Sequence, residues 1–245
     1  MMDNATIEIR NCVSLEDFAQ CLELQREVWH WEDLDLLPLR SFIVALKIEG
    51  QVIGAFDNTG KLIGFCLAVP ALHGKDAYLH SHMLAVLPEY RKHGIGQRLK
   101  LEQRRDALAR GIRLIEWTFD PFELKNARFN LEKLGAIARR YVPDQYGPSS
   151  SPLHLSLPTD RLVAEWWLDS PRVVALANGE SFPRNEISQR ISLPLDLAET
   201  GSAHGQPLAQ FQLTIRQQFQ ETFSNGLVVI GFELSERTCS YLLGQ

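Results

Sequence analysis

The sequence predicts a mixed α/β fold. Three observations carry this prediction: strand-like and helix-like segments alternate over residues 1–145, two apolar segments are joined by turn residues, and one strand runs through a glycine-containing turn into a helix. The strands and helices predicted for this part, in chain order, span residues 6–10, 15–29, 38–47, 52–56, 62–69, 78–86, 94–110, 112–119 and 125–134.

Local signals mark the ends of several of these elements. Ser14 precedes an apolar stripe at helical spacing and Asp17 follows three residues later, which is the pattern of a helix capping box. The polar and aromatic stretch at 29–33 ends that helix. Residues 57–60 have the composition of a turn, so we expect a β-hairpin around them. Gly135 suits the C-terminal cap of the last helix.

The composition of the chain changes after Gly147. We expect a linker at 148–152, a strand at 161–168, an irregular stretch at 169–206, a helix with a wide apolar stripe at 208–223 that has Pro207 in its first turn, and a buried strand at 227–234. The predicted organisation is therefore a first domain of residues 1–168 and a C-terminal extension, residues 169–245, that packs on the core.

Composition excludes several classes of protein. The net charge of −5 argues against a nucleic-acid-binding surface. No apolar stretch has the length of a membrane helix, and the polar N-terminus does not resemble a signal peptide. The four cysteines form no CxxC pair and no histidine cluster completes a zinc site, so we expect reduced thiols, no metal and a cytoplasmic location.

The most informative segment is the basic turn at 91–96, which reads Arg-Lys-His-Gly-Ile-Gly. Gly94 and Gly96 let the backbone approach a ligand closely, and the free N–H groups of the following helical turn are donors for phosphate oxygens. Arg91 and Lys92 add positive potential there. The turn is neither a Walker A loop nor a GxGxxG motif, and a plain strand-to-helix connector is the alternative interpretation.

This segment resembles the RxxGxG/A motif of the GNAT (GCN5-related N-acyltransferase) superfamily. The flanking residues 84–90 and 97–99 agree with it, and so does the order of elements from the first strand to Leu134. The resemblance covers roughly the first 145–168 residues. The resemblance implies a central mixed sheet flanked by helices and acyl-CoA as co-substrate. It also implies pyrophosphate contacts from the backbone of His93, Gly94, Ile95, Gly96 and Gln97, and pantetheine contacts from Leu84, Ala85 and Val86.

Two histidines precede the turn on the same predicted strand. His80 and His82 lie two residues apart, so they share one face, and an imidazole accepts a proton near neutral pH. Their segment is similar to the His-x-His segment of the arylalkylamine N-acetyltransferases, which implies a proton relay. The alternative is a pair of structural histidines between strand and helix.

Further candidates for the chemistry lie downstream. Glu116 is a carboxylate in an apolar strand and a second candidate base, with a salt bridge as the alternative. Many GNAT proteins carry a tyrosine at the position of Leu131, so Tyr141 and Tyr146 are substitute candidates for the general acid, with packing as the alternative for either. Asn126 and Asn130, at i and i+4 of one helix, are candidates for the pantetheine arm, with a solvated or capping face as the alternative.

The acceptor pocket is predicted from two pairs of residues. The resemblance implies that Trp29 and Trp31 line it. Arg139 and Arg140 carry guanidinium groups suited to holding a carboxylate, and two exposed arginines are the alternative. We therefore predict an N-acyltransferase that uses acetyl-CoA or succinyl-CoA and acts on a small amine or amino acid in a ternary complex.

Succinyl transfer follows from a second resemblance. The segments 117–121 and 126–130 resemble a large bacterial GNAT subgroup that has a C-terminal extension, and some members of it are associated with succinyl transfer to amino acids. A non-catalytic CoA-binding sensor or scaffold is the main alternative, and a protein-acetylating enzyme is a second one. A homodimer paired through the extension stays open.

Overall fold

The computed structural model describes residues 7–147, 157–195, 202–203 and 206–245. Of these, the residues up to Glu116 form one compact unit and those from Trp117 onwards form a second. The linker predicted at 148–152 lies outside the described residues.

The first unit is a mixed sheet flanked by helices. Its elements are β1 Glu8–Asn11, α1 Leu15–Trp29, α2 Leu39–Lys47, β2 Gln51–Phe56, β3 Leu62–His73, β4 Asp76–Val86, α3 Ile95–Ala109 and the beginning of β5 Leu114–Phe119. The strand order is β1-β2-β3-β4-β5. The neighbours from β1 to β4 are antiparallel, whereas β4 runs parallel to β5. The predicted fold class and the predicted hairpin are confirmed.

The capping box predicted at the start of α1 is present. The Oγ atom of Ser14 accepts a hydrogen bond from the backbone N–H of Asp17 at 3.0 Å, and the Asp17 carboxylate accepts one in return from the N–H of Ser14 at 3.2 Å. Arg10 donates to the same carboxylate at 2.9 Å and holds the pKa of Asp17 well below its usual range. The helix ends at Trp29, as predicted, because His30 adopts a left-handed conformation with φ of 53°.

A β-bulge interrupts the pairing of β3 with β4. Leu67 lies opposite Met83, but its neighbour Ala68 lies opposite Ser81, so β4 contains one residue more than β3 at this point. The extra residue is His82. A bulge re-aims the side chain of the residue it inserts, and bulges are enriched next to functional sites.

The second unit contains an antiparallel sheet of order β7-β6-β11-β12-β8. Its elements are α4 Leu124–Arg128, β6 Ile137–Val142, β7 Arg161–Trp167, α5 Pro171–Ala177, β8 Gln189–Pro194, β9 Ser202–Ala203, β10 Gln206–Pro207, α6 Leu208–Ser224, β11 Val228–Leu234 and β12 Thr238–Gly244. The predicted helix and strand near the C-terminus are confirmed as α6 and β11. No helix in the described ranges has the length and apolarity needed to cross a membrane.

Three predictions for this unit are wrong. The stretch 169–206 is not wholly irregular, because Ser170 caps α5 and β8 pairs with β12. The helix predicted at 125–134 changes from α to π geometry at Phe129, although Gly135 follows its end in a left-handed conformation with φ of 77°, as expected of a terminating glycine. Pro207 is the N-terminal cap of α6 and does not lie in its first turn.

Candidate functional site

The basic turn between β4 and α3 has a left-handed backbone at two positions. Lys92 and Gly94 have φ angles of 69° and 75°, and α3 begins at the next residue, Ile95. A Cβ atom added to Gly94 would meet no atom within 4 Å. Glycine is therefore favoured at this position by its backbone conformation, and the space beside it is open to a ligand.

The turn presents backbone donors without acceptors. Arg98 is the first residue of α3 whose N–H closes a helical hydrogen bond, to the carbonyl of Gly94 at 3.0 Å. Within the described residues, no backbone carbonyl or side chain accepts from the N–H groups of residues 92–97. Such a row of N–H groups at the positive end of a helix dipole binds anions, so these residues fit a phosphate group.

The cationic side chains beside the turn are partly engaged. Arg91 donates from Nε to the carbonyl of Val86 at 3.1 Å, and Arg98 donates to the carbonyl of Ile7 at 2.7 Å. Lys92 is exposed. The three side chains leave a positive field over the N–H groups, which favours a polyanionic ligand.

Leu84, Ala85 and Val86 form the end of β4 that leads into the turn. They pair with Cys66, Phe65 and Gly64 of β3. Their predicted contact with pantetheine stays a prediction.

His80 and His82 share one face of β4, with ring centroids 6.2 Å apart. Burial lowers the pKa of both imidazoles below the ordinary value, and the charge of His82 lowers the pKa of His80 further. Both rings are therefore mainly neutral at pH 7, which is the state that accepts a proton.

Glu116 lies beside His80 in the parallel pairing of β4 with β5. It is only 4% exposed, and its Oε2 atom lies 3.1 Å from Nε2 of His73. The His73 ring stacks on Tyr78, with centroids 4.2 Å apart and planes 6° from parallel. His73 was not predicted from the sequence, although its place at the end of β3, opposite Asp76 in the hairpin, follows from the register.

A cavity of about 420 Å³ lies between α2 and the sheet of the first unit. Arg40 and Val44 of α2 line it, together with Leu67 and Val69 of β3 and with His82. Arg40 was not among the residues predicted from the sequence. The available signal was a cation in the first turn of a helix, where the helix dipole disfavours it.

Trp29 and Trp31 do not line this cavity. Their rings stack on each other with centroids 4.7 Å apart, and Trp29 contacts the edge of Phe65 at 6.4 Å. Their contacts in the described structure are those of packing residues. Their contribution to an acceptor pocket stays a prediction.

Lys100 is a buried cation that was also not predicted. Its Nζ atom donates to Oε1 of Gln103 at 2.6 Å and to Oγ of Ser81 at 3.0 Å, and the residue is 2% exposed. Burial lowers the pKa of Lys100 to about 7. The sequence signal was the helical spacing of Lys100, Gln103 and Ala107, which places the lysine on the buried face of α3.

The predicted residues of the second unit have partners there. Nε of Arg139 and Nε of Arg140 lie 3.2 and 3.6 Å from the buried carboxylate of Glu165. Asn126 is exposed and Asn130 is buried, so the π turn separates two residues that a regular helix would place on one face. Their predicted roles stay predictions.

Tyr141 is held in place by a buried carboxylate. Its hydroxyl donates to Asp160 at 2.7 Å, and Arg216 pairs with the same carboxylate at 2.8 Å. Burial and this hydrogen bond raise the pKa of Tyr141 far above its ordinary value. These contacts stabilise the second unit. The role of Tyr141 as general acid stays a prediction.

The family comparison identifies the class of protein. Residues 15–136 match the model of the Acetyltransferase (GNAT) family. The chain therefore belongs to the GNAT acetyltransferase family and is an enzyme of that class. No curated protein sequence matches the chain significantly.

Solved structures share the fold. NAA60 of Arabidopsis thaliana, in complex with a bisubstrate analogue, is 16% identical over 66% of this chain and 98% of its own, with a TM-score of 0.54. yncA of Salmonella typhimurium, with its cofactor acetyl-CoA, is 16% identical over 68% and 96%, with a TM-score of 0.53. The ribosomal-protein-S18-alanine N-acetyltransferase of Escherichia coli is 14% identical over 67% and 96%, with a TM-score of 0.52.

Proposed function

We propose that the protein is an acyl-CoA-dependent N-acyltransferase that transfers an acetyl or succinyl group directly to a small amine or amino acid in a ternary complex. The observation that carries this proposal is the turn at 92–97, whose N–H groups have no acceptor among the described residues. The turn follows the strand that bears His80 and His82, after one 3-10 turn at Pro88–Tyr90. The proposed anion site and the proposed proton acceptors thus belong to one strand and the segment that follows it.

The donor site is proposed around the turn. The N–H groups of residues 93–97 would hold the pyrophosphate, with Arg91 and Lys92 adding positive charge, and the backbone of residues 84–86 would contact the pantetheine arm. The yncA structure contains acetyl-CoA, which favours an acetyl group over a succinyl group here. The assignment of Asn126 and Asn130 to the pantetheine arm rests on the sequence alone.

The two histidines are proposed to remove the proton that the amine loses. An alkylammonium has a pKa near ~10, so it must lose a proton before its nitrogen can attack a thioester carbonyl. A neutral His82 or His80 accepts that proton, directly or through water. The nitrogen forms the new amide bond as the carbon–sulfur bond breaks, and it loses a second proton, which the leaving thiolate takes up to become the thiol of CoA. The first proton leaves the imidazole for solvent. The thioester supplies the acyl group.

Glu116 is proposed to act on this relay from the neighbouring strand. It lies beside His80 in register and is buried, so its negative charge favours the protonated form of His80. A carboxylate in this place stabilises the imidazolium that forms during the transfer.

A CoA-binding protein without catalysis is the second candidate. The observation that favours it is Leu131, buried at the position where many GNAT proteins carry the tyrosine that acts as acid. Replacing both histidines separates the two candidates. An enzyme loses turnover and keeps CoA binding in His80→Gln/His82→Gln, whereas a sensor has no turnover to lose.

The donor site is tested by titration with free CoA, acetyl-CoA and succinyl-CoA, followed by thermal shift and calorimetry. At a hundred times its Kd, a ligand stabilises the folded protein by about 2.7 kcal/mol. Gly94→Glu places a negative charge in the turn and should abolish binding. Gly111→Glu is the matched control, since Gly111 has a φ of 77°, open space around it, and a position after the other end of α3.

Binding to the wild type and to Gly111→Glu, but not to Gly94→Glu, supports the donor site. Equal binding by Gly94→Glu, or binding by none of the three proteins, overturns it and leaves the turn as a connector. The preferred acyl group then directs the acceptor screen.

Three further points are proposals of the same kind. We propose that residues 1–168 are the acyltransferase domain and that residues 169–245 are an extension packed on it. A homodimer and a cytoplasmic location stay predictions from the sequence.

A further inference from the structure

We propose that the cavity beneath α2 binds the acceptor, and that Arg40 selects an apolar amine that carries a carboxylate, such as an apolar amino acid. This inference rests on the proposed function, because it assumes that His82 removes the proton from the acceptor. It differs from the sequence-based expectation, which assigned the carboxylate to Arg139 and Arg140.

The cavity has the size and lining of a site for a small amphipathic molecule. Its volume of about 420 Å³ falls in the ordinary range of ligand pockets. Val44, Leu67 and Val69 give it apolar walls from α2 and β3. Such walls favour an aliphatic or aromatic side chain by the hydrophobic effect, and they disfavour a strongly hydrated polyamine or sugar.

Arg40 supplies the positive charge at this cavity. Other arginines of the first unit are paired, for example Arg10 with Asp17 and Arg26 with Asp33. For Arg40, the described residues provide neither an ion pair nor a hydrogen-bond acceptor for its side chain. The charge also lies in the first turn of α2, where it opposes the helix dipole, so it does not stabilise the helix. An anionic ligand is the partner that its chemistry fits.

The wall that carries Arg40 is fixed to the core. The buried side chain of Gln25 accepts from the N–H of Leu37 at 2.9 Å and donates to the carbonyl of Leu37 at 3.2 Å. Leu37 lies two residues before α2 and also lines the cavity. This clamp from α1 fixes the backbone just before α2 relative to α1, and so it fixes the position from which the exposed Arg40 side chain extends.

His82 places a proton acceptor in the lining of the cavity. The residue inserted by the β-bulge lines the same cavity as Arg40, so a molecule bound there meets a proton acceptor and a cation together. An amine that also carries a carboxylate can address both, with its ammonium at the imidazole and its carboxylate at the guanidinium. A second ammonium would be repelled by Arg40, which excludes polycationic acceptors.

The test compares amino acids with their amides, which keep the amine and the side chain but lack the charge. With acetyl-CoA as donor, release of free CoA gives kcat/KM for phenylalanine and phenylalaninamide, and for leucine and leucinamide. We expect the wild type to prefer the acids by roughly 10–100-fold, the effect of a charge-assisted hydrogen bond. Arg40→Ala should abolish the preference and raise KM for the acids more than it lowers kcat.

Three variants make the comparison specific. Lys47→Ala removes an exposed cation at the other end of α2, outside the cavity lining, and should keep the preference. Arg40→Lys should restore part of it. The double variant Arg139→Ala/Arg140→Ala tests the sequence-based assignment. Binding of N-acetylphenylalanine and of its amide is measured on the same proteins by calorimetry, so the cavity is tested without turnover.

Loss of the acid preference in Arg40→Ala alone supports the inference. Equal use of acids and amides by the wild type, or a preference that survives in Arg40→Ala or is lost in the Arg139/Arg140 variant, overturns it and leaves the proposed function intact. If none of the four amines is acetylated but the acid still binds through Arg40, the site stands, and the CoA titration decides the proposed function. Absence of both turnover and acid binding overturns the inference, and absence of CoA binding as well overturns the proposed function.

Discussion

Nε2 of His73 lies 3.1 Å from Oε2 of Glu116, across the strand that carries His80. His73 is on β3 and Glu116 is on β5, so the pair joins the two neighbours of β4. Because Glu116 is buried, this contact contributes to keeping its carboxylate in one place beside His80. We therefore regard His73 as a positioning residue for the proposed proton relay.

Replacing His73 is expected to affect stability and the relay together. His73→Ala removes one partner of a buried carboxylate, which should lower the free energy of unfolding by roughly 1–2 kcal/mol. Urea unfolding measures this change, and the acid limb of the pH–rate profile should move because Glu116 is less well held. His73→Gln, which can still donate to Glu116, should recover most of both effects. Unchanged stability in His73→Ala would show that the contact is not formed in solution.

The pH dependence of turnover should show the lowered pKa values of His80 and His82. Burial lowers the pKa of His80 and of His82, so both stay deprotonated as the pH falls to 6.5 and accept protons only below that value. Turnover should therefore be level at pH 7–8, and its acid limb should lie below pH 6.5. The log of kcat/KM against pH is the measurement.

The two histidines should contribute unequally, because only His82 lines the acceptor cavity. We expect His82→Gln to lower kcat by about 100-fold or more, within the range of general-base catalysis, and His80→Gln to lower it less. Calorimetric binding of CoA is the control and should be retained in both variants. An acid limb well above pH 6.5, or full activity of His82→Gln, would contradict the relay.

Folding stability should rise with pH because of Lys100. Its pKa is about 7 in the folded protein and near the ordinary 10.5 in the unfolded chain, so between these values only the unfolded chain binds the proton. The free energy of unfolding should therefore increase from pH 7 towards the ordinary pKa of a thiol, about 8.5, by at most about 1.4 kcal/mol per pH unit, and should be insensitive to this group below pH 7. Above that range the buried thiols of Cys66 and Cys239 oppose the increase, because burial raises their pKa in the folded protein. Denaturant unfolding at several pH values measures the slope.

Lys100→Met is the matched variant for this effect. It keeps the length of the side chain and removes the titration, so its stability should depend less on pH between 7 and about 8.5, below the ordinary pKa of the thiols. Lys47→Met, in the exposed last turn of α2, should keep the wild-type slope. An equal slope in Lys100→Met and the wild type would show that the buried lysine does not titrate in this range.

The variant Tyr141→Phe, which lacks only the hydroxyl oxygen, distinguishes a structural role of Tyr141 from a role as general acid. In Tyr141→Phe the buried carboxylate of Asp160 loses a donor but keeps Arg216, so the free energy of unfolding should fall by roughly 1–3 kcal/mol. Because the pKa of Tyr141 is raised, its hydroxyl is a weak acid, and we expect the turnover rate to change less than about twofold. If a folded Tyr141→Phe instead turned over about 100-fold more slowly, the tyrosine would be identified as the general acid.

Sequence patterns predicted the elements whose signals are local. The capping box at Ser14, the hairpin turn at 57–60 and the glycine turn at 91–96 are each decided by a few neighbouring residues. The strand β8 went unpredicted because it forms on β12, a partner distant in the sequence. The strand β12 also went unpredicted, although it forms a hairpin with β11 just before it in the chain. The change of helix geometry at Phe129 also lacked a local signal.

The residues of the candidate site also fall into those that a local pattern predicts and those that depend on long-range packing. His80, His82 and the turn were predicted because strand period and motif place them. Arg40 and His73 were not, because the cavity and the pair with Glu116 arise only when segments distant in the sequence pack together. Glu116 was singled out as a buried carboxylate, but its histidine partner depends on the register of the hairpin between β3 and β4.

The bulge at His82 divides β4 into two lengths of strand with separate registers. On one side, Met83 to Val86 are aligned with β3 by the pairs that lead into the glycine turn, and on the other, the hairpin at His73 sets the alignment of Asp76 to Ser81. A lengthened or shortened hairpin tip can therefore be absorbed on its own side of the bulge. The bulge therefore separates the alignment of the strands near His73 from that of the strand end that leads to the turn at Gly94.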